Sequence, residues 1–188
     1  MGPLYCVRNG SERLIHMAGG DARIEEKAGA RHFLERHLLL DLPVEPARAN
    51  LKRAPCGMVE FHCMLVRTEV FEKLGPLDEG LRSTREHIDL CMQVRAAGRE
   101  VWFDPAAMVT YVPVPQFEED DYAYFFLRWG DEWTLASLDR FAQKWRLSPD
   151  DPSRAEHLYW ISHFRSRVLV TDPNALPWLA SSGGTPAP

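Results

Sequence analysis

The period of apolar and polar positions changes several times along the chain, and each change predicts an element. Between residues 3 and 37, short β-prone runs alternate with turns. Leu4-Tyr5-Cys6-Val7 leads to the turn Arg8-Asn9-Gly10, then to Arg13-Leu14-Ile15-His16-Met17, and Gly19-Gly20 precedes two further runs of charged and apolar residues. Asn9-Gly10 favours positive φ, as a hairpin turn needs, so this stretch predicts a β-meander that extends a sheet. Residues 41–57 carry Pro43, Pro46 and Pro55 among mixed charges and predict a loop. Gly57 to Val66 reads as an apolar run with β-branched residues, the pattern of a buried strand. Thr68 then caps a short helix that ends at Gly75.

Helical periodicity returns at Ile88, Cys91 and Met92, flanked by Leu90, Val94 and Ala97, which together give a broad buried face. Ser83 or Thr84 can cap that helix, and Gly98 supplies the left-handed stop. Val101-Trp102-Phe103-Asp104-Pro105 predicts a short strand and a turn, and Met108 to Val112 a further strand closed by Pro113 and Pro115. A long aromatic-rich helical region is expected from about Asp121 to Arg146, and another helix from Ser153 to about Val170. The small, Gly- and Pro-rich residues from Ser181 to Pro188 predict a disordered tail behind a single domain of residues 1–180.

Composition bounds the class. With 188 residues, 45% hydrophobic and 26% charged, the chain can bury one real core. A net charge of −5 argues against a general nucleic-acid binder, because phosphate contacts need a basic surface. No apolar run approaches the roughly 20 residues of a membrane span, and the first residues begin no secretory signal, so a cytoplasmic location is expected. Cys6, Cys56, Cys63 and Cys91 lack CxxC spacing and sit in apolar surroundings, which predicts free buried thiols.

The candidate chemistry centres on Ser83-Thr84-Arg85-Glu86-His87-Ile88-Asp89, where a loop becomes a helix. A free helix N-terminus presents unpaired N–H groups and partial positive charge, which favour a carboxylate base facing a ligand. The same residues also fit a simpler scheme. Ser83-x-x-Glu86 is a capping box, and Asp89 with Arg85 is an ordinary i,i+4 pair.

The run from Phe61 to Val112 resembles the C-terminal half of family 2 glycosyltransferases. The resemblance rests on Val66-Arg67-Thr68-Glu69-Val70-Phe71, Leu74-Gly75-Pro76-Leu77-Asp78-Glu79, Glu86-His87-Ile88-Asp89-Leu90-Cys91 and Val101-Trp102-Phe103-Asp104-Pro105, four linked blocks in order. It implies an α/β fold, a partial GT-A mixed sheet of Rossmann-like type with an N-terminal β-meander and C-terminal helices. It also implies inverting transfer of a sugar from a nucleotide-diphosphate sugar to a saccharide or other hydroxyl acceptor. Glu86, His87 and Asp89 become the catalytic candidates, with His87 standing where the family usually has Asp. Glu60 and His62, beside the start of the matched run, are assigned to substrate binding with Trp129 and Trp133, whose i,i+4 spacing suits sugar stacking as well as packing.

A divalent cation, magnesium or manganese, is expected for the family. The family holds it through an Asp-x-Asp element, which this sequence does not contain. The chain therefore reads as an acceptor half without its donor half. The alternative is a binding or interaction module whose open sheet edge pairs with a protein partner or a second copy. Of the seven histidines, His62-Cys63 beside Cys56, or His32 with His37, suggest pieces of a zinc site. Neither has a spacing that gathers ligands, so no metal ligand is assigned.

Overall fold

The computed structural model describes residues 1–112 and 117–171; the expected strand stop at Pro113 and Pro115 and the expected tail lie outside the described residues. The architecture is mixed α/β. Strands dominate the N-terminal part, two of them in a curled mixed four-stranded sheet, and among the described residues five helices of seven residues or more are mostly C-terminal.

Strand β1 (Gly2–Asn9) folds back on β2 (Glu12–Met17) through Gly10, whose φ of 61° is the positive value the two-residue turn requires. Chain residues 20–37 do not extend that hairpin into a meander. They form their own two-stranded sheet, β3 (Gly20–Lys27) with β4 (Ala30–His37). The change of sheet occurs at Gly19, at φ 73°, where a side chain would press on the Phe103 and Cys56 side chains.

A short helix, α1 (Val44–Arg48), and a three-residue strand, β5 (Ala54–Cys56), precede α2 (Thr68–Leu74), which ends at Gly75 as the sequence predicts. Helix α3 (Glu86–Ala96) stops ahead of Gly98, at φ 72°. The two strands expected near residues 101 and 108 are one, β6 (Val101–Thr110). It runs parallel to β1 and antiparallel to β5, giving the order β2-β1-β6-β5. Pro3 pairs with Asp104 but Leu4 pairs with Met108, so residues 105–107 bulge from the ladder. Pro105, which has no N–H to give a ladder, sits in that bulge.

Side chains alternate across β1. Tyr5 joins one core cluster with Met58, Val59, Ile88, Cys91 and Phe141, while Leu4 and Cys6 pack on the other face with Ile15, Val44 and Phe103. The long C-terminal helix is broken. Helix α4 (Asp121–Arg128) and α5 (Asp131–Trp145) are separated at Gly130, where a Cβ would lie 2.3 Å from the Phe126 carbonyl oxygen. Helix α6 (Pro152–Thr171) matches its predicted span and packs Phe164 on the aromatic cluster of α4. No described helix is long and apolar enough to cross a membrane.

The open parallel edge expected from the sequence is not found among the described residues. The parallel pair β1–β6 is internal. Outer strand β2 is covered by the loop after β4, through Ile15 N–H to Leu42 O and Asp41 N–H to Ile15 O, both 2.8 Å. The opposite edge is short and contains Pro55. The outer side of β4 is bonded through Arg31 N–H to Ser148 Oγ and Phe33 N–H to Asp151 Oδ1, and β3 bonds Gly57 and Met58 through the Gly20 carbonyl.

Residues 57–66 are also not a strand. Met58 and Val59 are buried as the apolar pattern requires, but the backbone then leaves the ladder, and Tyr5 holds it. The Tyr5 hydroxyl lies 2.8 Å from the carbonyl oxygens of both Glu60 and Cys63. Burial pushes that phenol well above its ordinary pKa, so it remains a donor. Tyr5→Phe is expected to lower stability by about 1–3 kcal/mol in urea unfolding with an unchanged m-value, because buried carbonyls lose their donor. A loss under about 0.5 kcal/mol would mean the 60–63 segment is held by something else.

Candidate functional site

The start of α3 is set by Arg85, not by a capping box. Arg85 occupies the N-cap in the left-handed region, at φ 72°, and no side chain caps the helix. Ser83 lies two residues ahead of the N-cap, its hydroxyl caps nothing, and its backbone is unavailable to Glu86. The N–H groups of Arg82 and Ser83 donate to Ser137 Oγ on α5, and Arg128 donates to the Ser83 carbonyl. The Arg85 side chain is 3% exposed and pairs with Glu35 on β4. Its guanidinium lies over the Phe33 ring at 4.7 Å and reaches the Ser153 carbonyl at 3.4 Å. Burial alone would raise the Glu35 pKa, but His37 and Arg85 outweigh it and hold it at about 2.

This arrangement leaves the two residues after Arg85 uncapped and unconsumed. Glu86 faces Arg128, with Oε1 3.7 Å from Nη2, and its Oε2 is buried without a hydrogen-bond partner among the described residues. His87 packs its ring against Phe61 at 6.0 Å, and its Nε2 is likewise buried and unpartnered. Burial pushes the His87 pKa down, against the pull of Glu86, Glu60 and Glu35 toward protonation. A neutral imidazole at this position is a proton acceptor.

Beside His87 lies a cluster that sequence spacing did not announce. Glu60 is surrounded by three imidazoles: His16 Nε2 at 3.1 Å and His62 Nε2 at 3.5 Å from Oε2, and His37 Nε2 at 3.6 Å from Oε1. The ligand-type atoms of His16, Glu60 and His62 all lie within 4.8 Å of one another. Tyr111 stacks on His62 with ring centres 4.3 Å apart and planes 13° from parallel. Burial would raise the Glu60 pKa, but His16, His37 and His62 together keep it below its ordinary value. The same carboxylate pulls two histidines toward protonation with different outcomes. Burial lowers His62 despite Glu60, whereas His37, also opposed by burial, is raised because it meets both Glu35 and Glu60.

Four sequence-assigned residues, Glu60, His62, Glu86 and His87, thus share one neighbourhood, and three do not join it directly. Asp89 is 1% exposed and points into the protein. It accepts from Lys144 Nζ at 2.7 Å, Trp145 Nε1 at 2.8 Å and Gln93 Nε2 at 2.7 Å, so its carboxylate ties α3 to α5 and is not paired with Arg85. Trp129 and Trp133 fall on either side of the helix break and are not an i,i+4 pair on one helix. Trp129 packs on Phe164 and Trp160, with Arg128 over its ring at 4.5 Å, and Trp133 lies near Arg82. Of the zinc fragments, Cys63 is exposed and Cys56 Sγ bonds the Met58 carbonyl. His32 and His37, five residues apart on one strand, point to opposite faces. His16, Glu35 and Arg128 carry no sequence signal as site residues, since they come from three separate elements; His37 is named in the sequence only as a zinc fragment with His32, and Arg85 only as a partner for Asp89.

Magnesium asks for six oxygen ligands, and manganese sites are also carboxylate-rich. The donor set here is imidazoles around one carboxylate, so these residues do not fit the cation that the resemblance implies. A surface depression of about 660 Å³, lined by Arg8, Arg13, Glu45 and Pro43 among others, shares no residue with the cluster. In comparisons with known proteins, the chain matches no family model, no curated protein and no solved structure.

Two measurements check this account. Asp89→Ala is expected to cost about 1–3 kcal/mol in chemical denaturation, because it leaves the Trp145 indole N–H without its acceptor and removes one of the two carboxylates on the Lys144 ammonium, which keeps Asp78; a cost below about 0.5 kcal/mol would free Asp89 for a role in binding. His157, which shares a 2.7 Å hydrogen bond with Thr84 Oγ1, is lowered to about 4 by burial and by Arg85. Its folded pKa lies below the unfolded value of about 6.5, so its contribution is complete above that pH and lost as pH falls toward 4. Stability of the wild type relative to His157→Gln should therefore drop by up to about 3 kcal/mol across that window.

Proposed function

We propose that this chain carries the acceptor side of a sugar-transfer site of family 2 glycosyltransferase type. Glu86 takes the proton from an acceptor hydroxyl as that oxygen attacks the anomeric carbon of a nucleotide-diphosphate sugar. The C–O bond to the diphosphate breaks as the new glycosidic bond forms, with inversion. The observation that supports this reading is the uncapped start of α3, where Glu86 Oε2 and His87 Nε2 are both buried without partners. A carboxylate base at a helix N-terminus needs a free oxygen, and capping would have removed it.

Supporting roles follow from position. Arg128 sits opposite Glu86 and over Trp129, so it orients the carboxylate against an aromatic wall. His87, neutral through burial, stands second to Glu86 as the base. Glu60 and His62 lie within electrostatic reach of His87 or one residue from Phe61, which packs on it, and suit hydrogen bonding to acceptor hydroxyls. The diphosphate requires a cation or basic element that the sequence does not supply through Asp-x-Asp. The interaction-module alternative has less to stand on, since the described sheet edges are covered or short.

Titrating the isotope-labelled chain with a panel of saccharide acceptors tests the site. Amide shifts are expected at residues 60–62 and 85–88, and Glu86→Gln should keep acceptor binding within about threefold. Where transfer from a nucleotide-sugar is measured, that variant should lose about 10²- to 10⁴-fold in rate, the worth of a general base. Acceptors that perturb only other surfaces, or a Glu86→Gln protein that transfers at full rate, would reject the assignment.

A further inference from the structure

We propose that His16 Nε2, Glu60 Oε2 and His62 Nε2 form a three-ligand site for a divalent transition-metal ion of the zinc class. Two imidazoles and one carboxylate are a recurrent protein donor set for zinc, and they leave a fourth tetrahedral position for water or a substrate oxygen. Tetrahedral bonds of roughly 2.0–2.1 Å put ligand atoms about 3.3 Å apart. The two imidazole nitrogens lie 3.1 and 3.5 Å from the same Glu60 oxygen, on either side of that spacing.

A second observation points to a ligand. The Glu60 side chain is 10% exposed, and Glu60 Oε2 and His16 Nε2 are both buried with no hydrogen-bond partner among the described residues. At 3.1 Å they are near enough to bond, yet they are misaligned as donor and acceptor. Buried polar atoms are nearly always satisfied. Two ligand-type atoms that approach this closely out of hydrogen-bond alignment are placed as co-ligands of a third body would be.

The surroundings supply the outer support that metal sites use. His37 Nε2 lies 3.6 Å from the other Glu60 oxygen and 3.7 Å from Glu35 Oε1, so it can hold the carboxylate in one orientation. Tyr111 fixes the plane of His62 by stacking. Tyr5 anchors the backbone carbonyls of Glu60 and Cys63 on either side of His62. The three ligands come from β2 and the 60–63 segment, and both are held by the sheet. This site takes Glu60 and His62 as ligands in place of the direct acceptor contacts given to them above, and it leaves the base candidates Glu86 and His87 untouched.

The test is metal binding by the full chain after chelator treatment. Titration with Co²⁺ should give the visible absorption of a tetrahedral nitrogen–oxygen site at one ion per chain, and Zn²⁺ should displace it. His16→Gln, His62→Gln and Glu60→Gln should each weaken Co²⁺ binding by about 100-fold or more, and His37→Gln by about 10- to 100-fold. His163→Gln, on an exposed stretch of α6, should bind as the wild type does. Circular dichroism before each titration shows whether a variant is folded, and a Zn²⁺-dependent rise in melting temperature of the wild type gives a readout independent of the variants. No tetrahedral spectrum and no melting shift in the wild type, or unchanged affinity in folded His16→Gln and His62→Gln, would overturn the proposal. Residues 60–62 report on both readings, so acceptor binding is read from the amide shifts at residues 85–88 in metal-free protein, where failure of the metal site leaves the Glu86 assignment standing and the reverse.

Discussion

A buried guanidinium at the start of the central helix ties that helix to the β3–β4 sheet and to α6. Arg85 leaves water to meet Glu35 on β4, the Phe33 ring and the Ser153 carbonyl that opens α6. A buried charge with one partner removed is strongly destabilising, so these contacts hold one another in place. They also hold the Arg85 backbone in the left-handed region, which costs a residue with a Cβ about 1–2 kcal/mol. Strained backbone persists where its surroundings over-determine it, often beside a functional site. Here the strain sets the direction in which Glu86 and His87 enter the helix.

A second anchor approaches the same place from the sheet. Tyr5 stands on the α3 face of β1, between neighbours that face the other way, and its hydroxyl reaches the carbonyls of Glu60 and Cys63. The segment carrying Glu60, Phe61 and His62 is thereby fixed without belonging to a ladder. One anchor positions the helix end and the other positions the loop, and Phe61 against His87 is where they meet. Arg128 on α4 closes the third side through Glu86 and Ser83.

The electrostatics of this region follow from an excess of imidazole around few carboxylates. Glu60 stays ionised because three histidines face it, and Glu35 because Arg85 and His37 do. The histidines then divide by environment. His37, between two carboxylates, favours its proton, while His62 and His87 lose theirs to burial. Neutral imidazoles beside an ionised carboxylate are the protonation states that both a proton-accepting site and a metal-binding site require.

By itself the sequence determined the local elements whose signals are short-range. The hairpin at Asn9-Gly10, the helix from Thr68 to Gly75, the apolar face of α3 with its stop at Gly98, and the span of α6 each depend on residues a few positions apart. It also singled out Glu60, His62, Glu86 and His87. Only the tertiary structure decided what those residues face. Ser83-x-x-Glu86 is a sound capping box until Ser137 and Arg128 engage the Ser83 backbone from other helices. Asp89 looks like a solvated acid until Lys144 and Trp145, more than fifty residues away, close around it. His16 and His37 join Glu60 only because two hairpins split between two sheets at Gly19-Gly20, a choice of pairing made by long-range hydrogen bonds that no local pattern encodes.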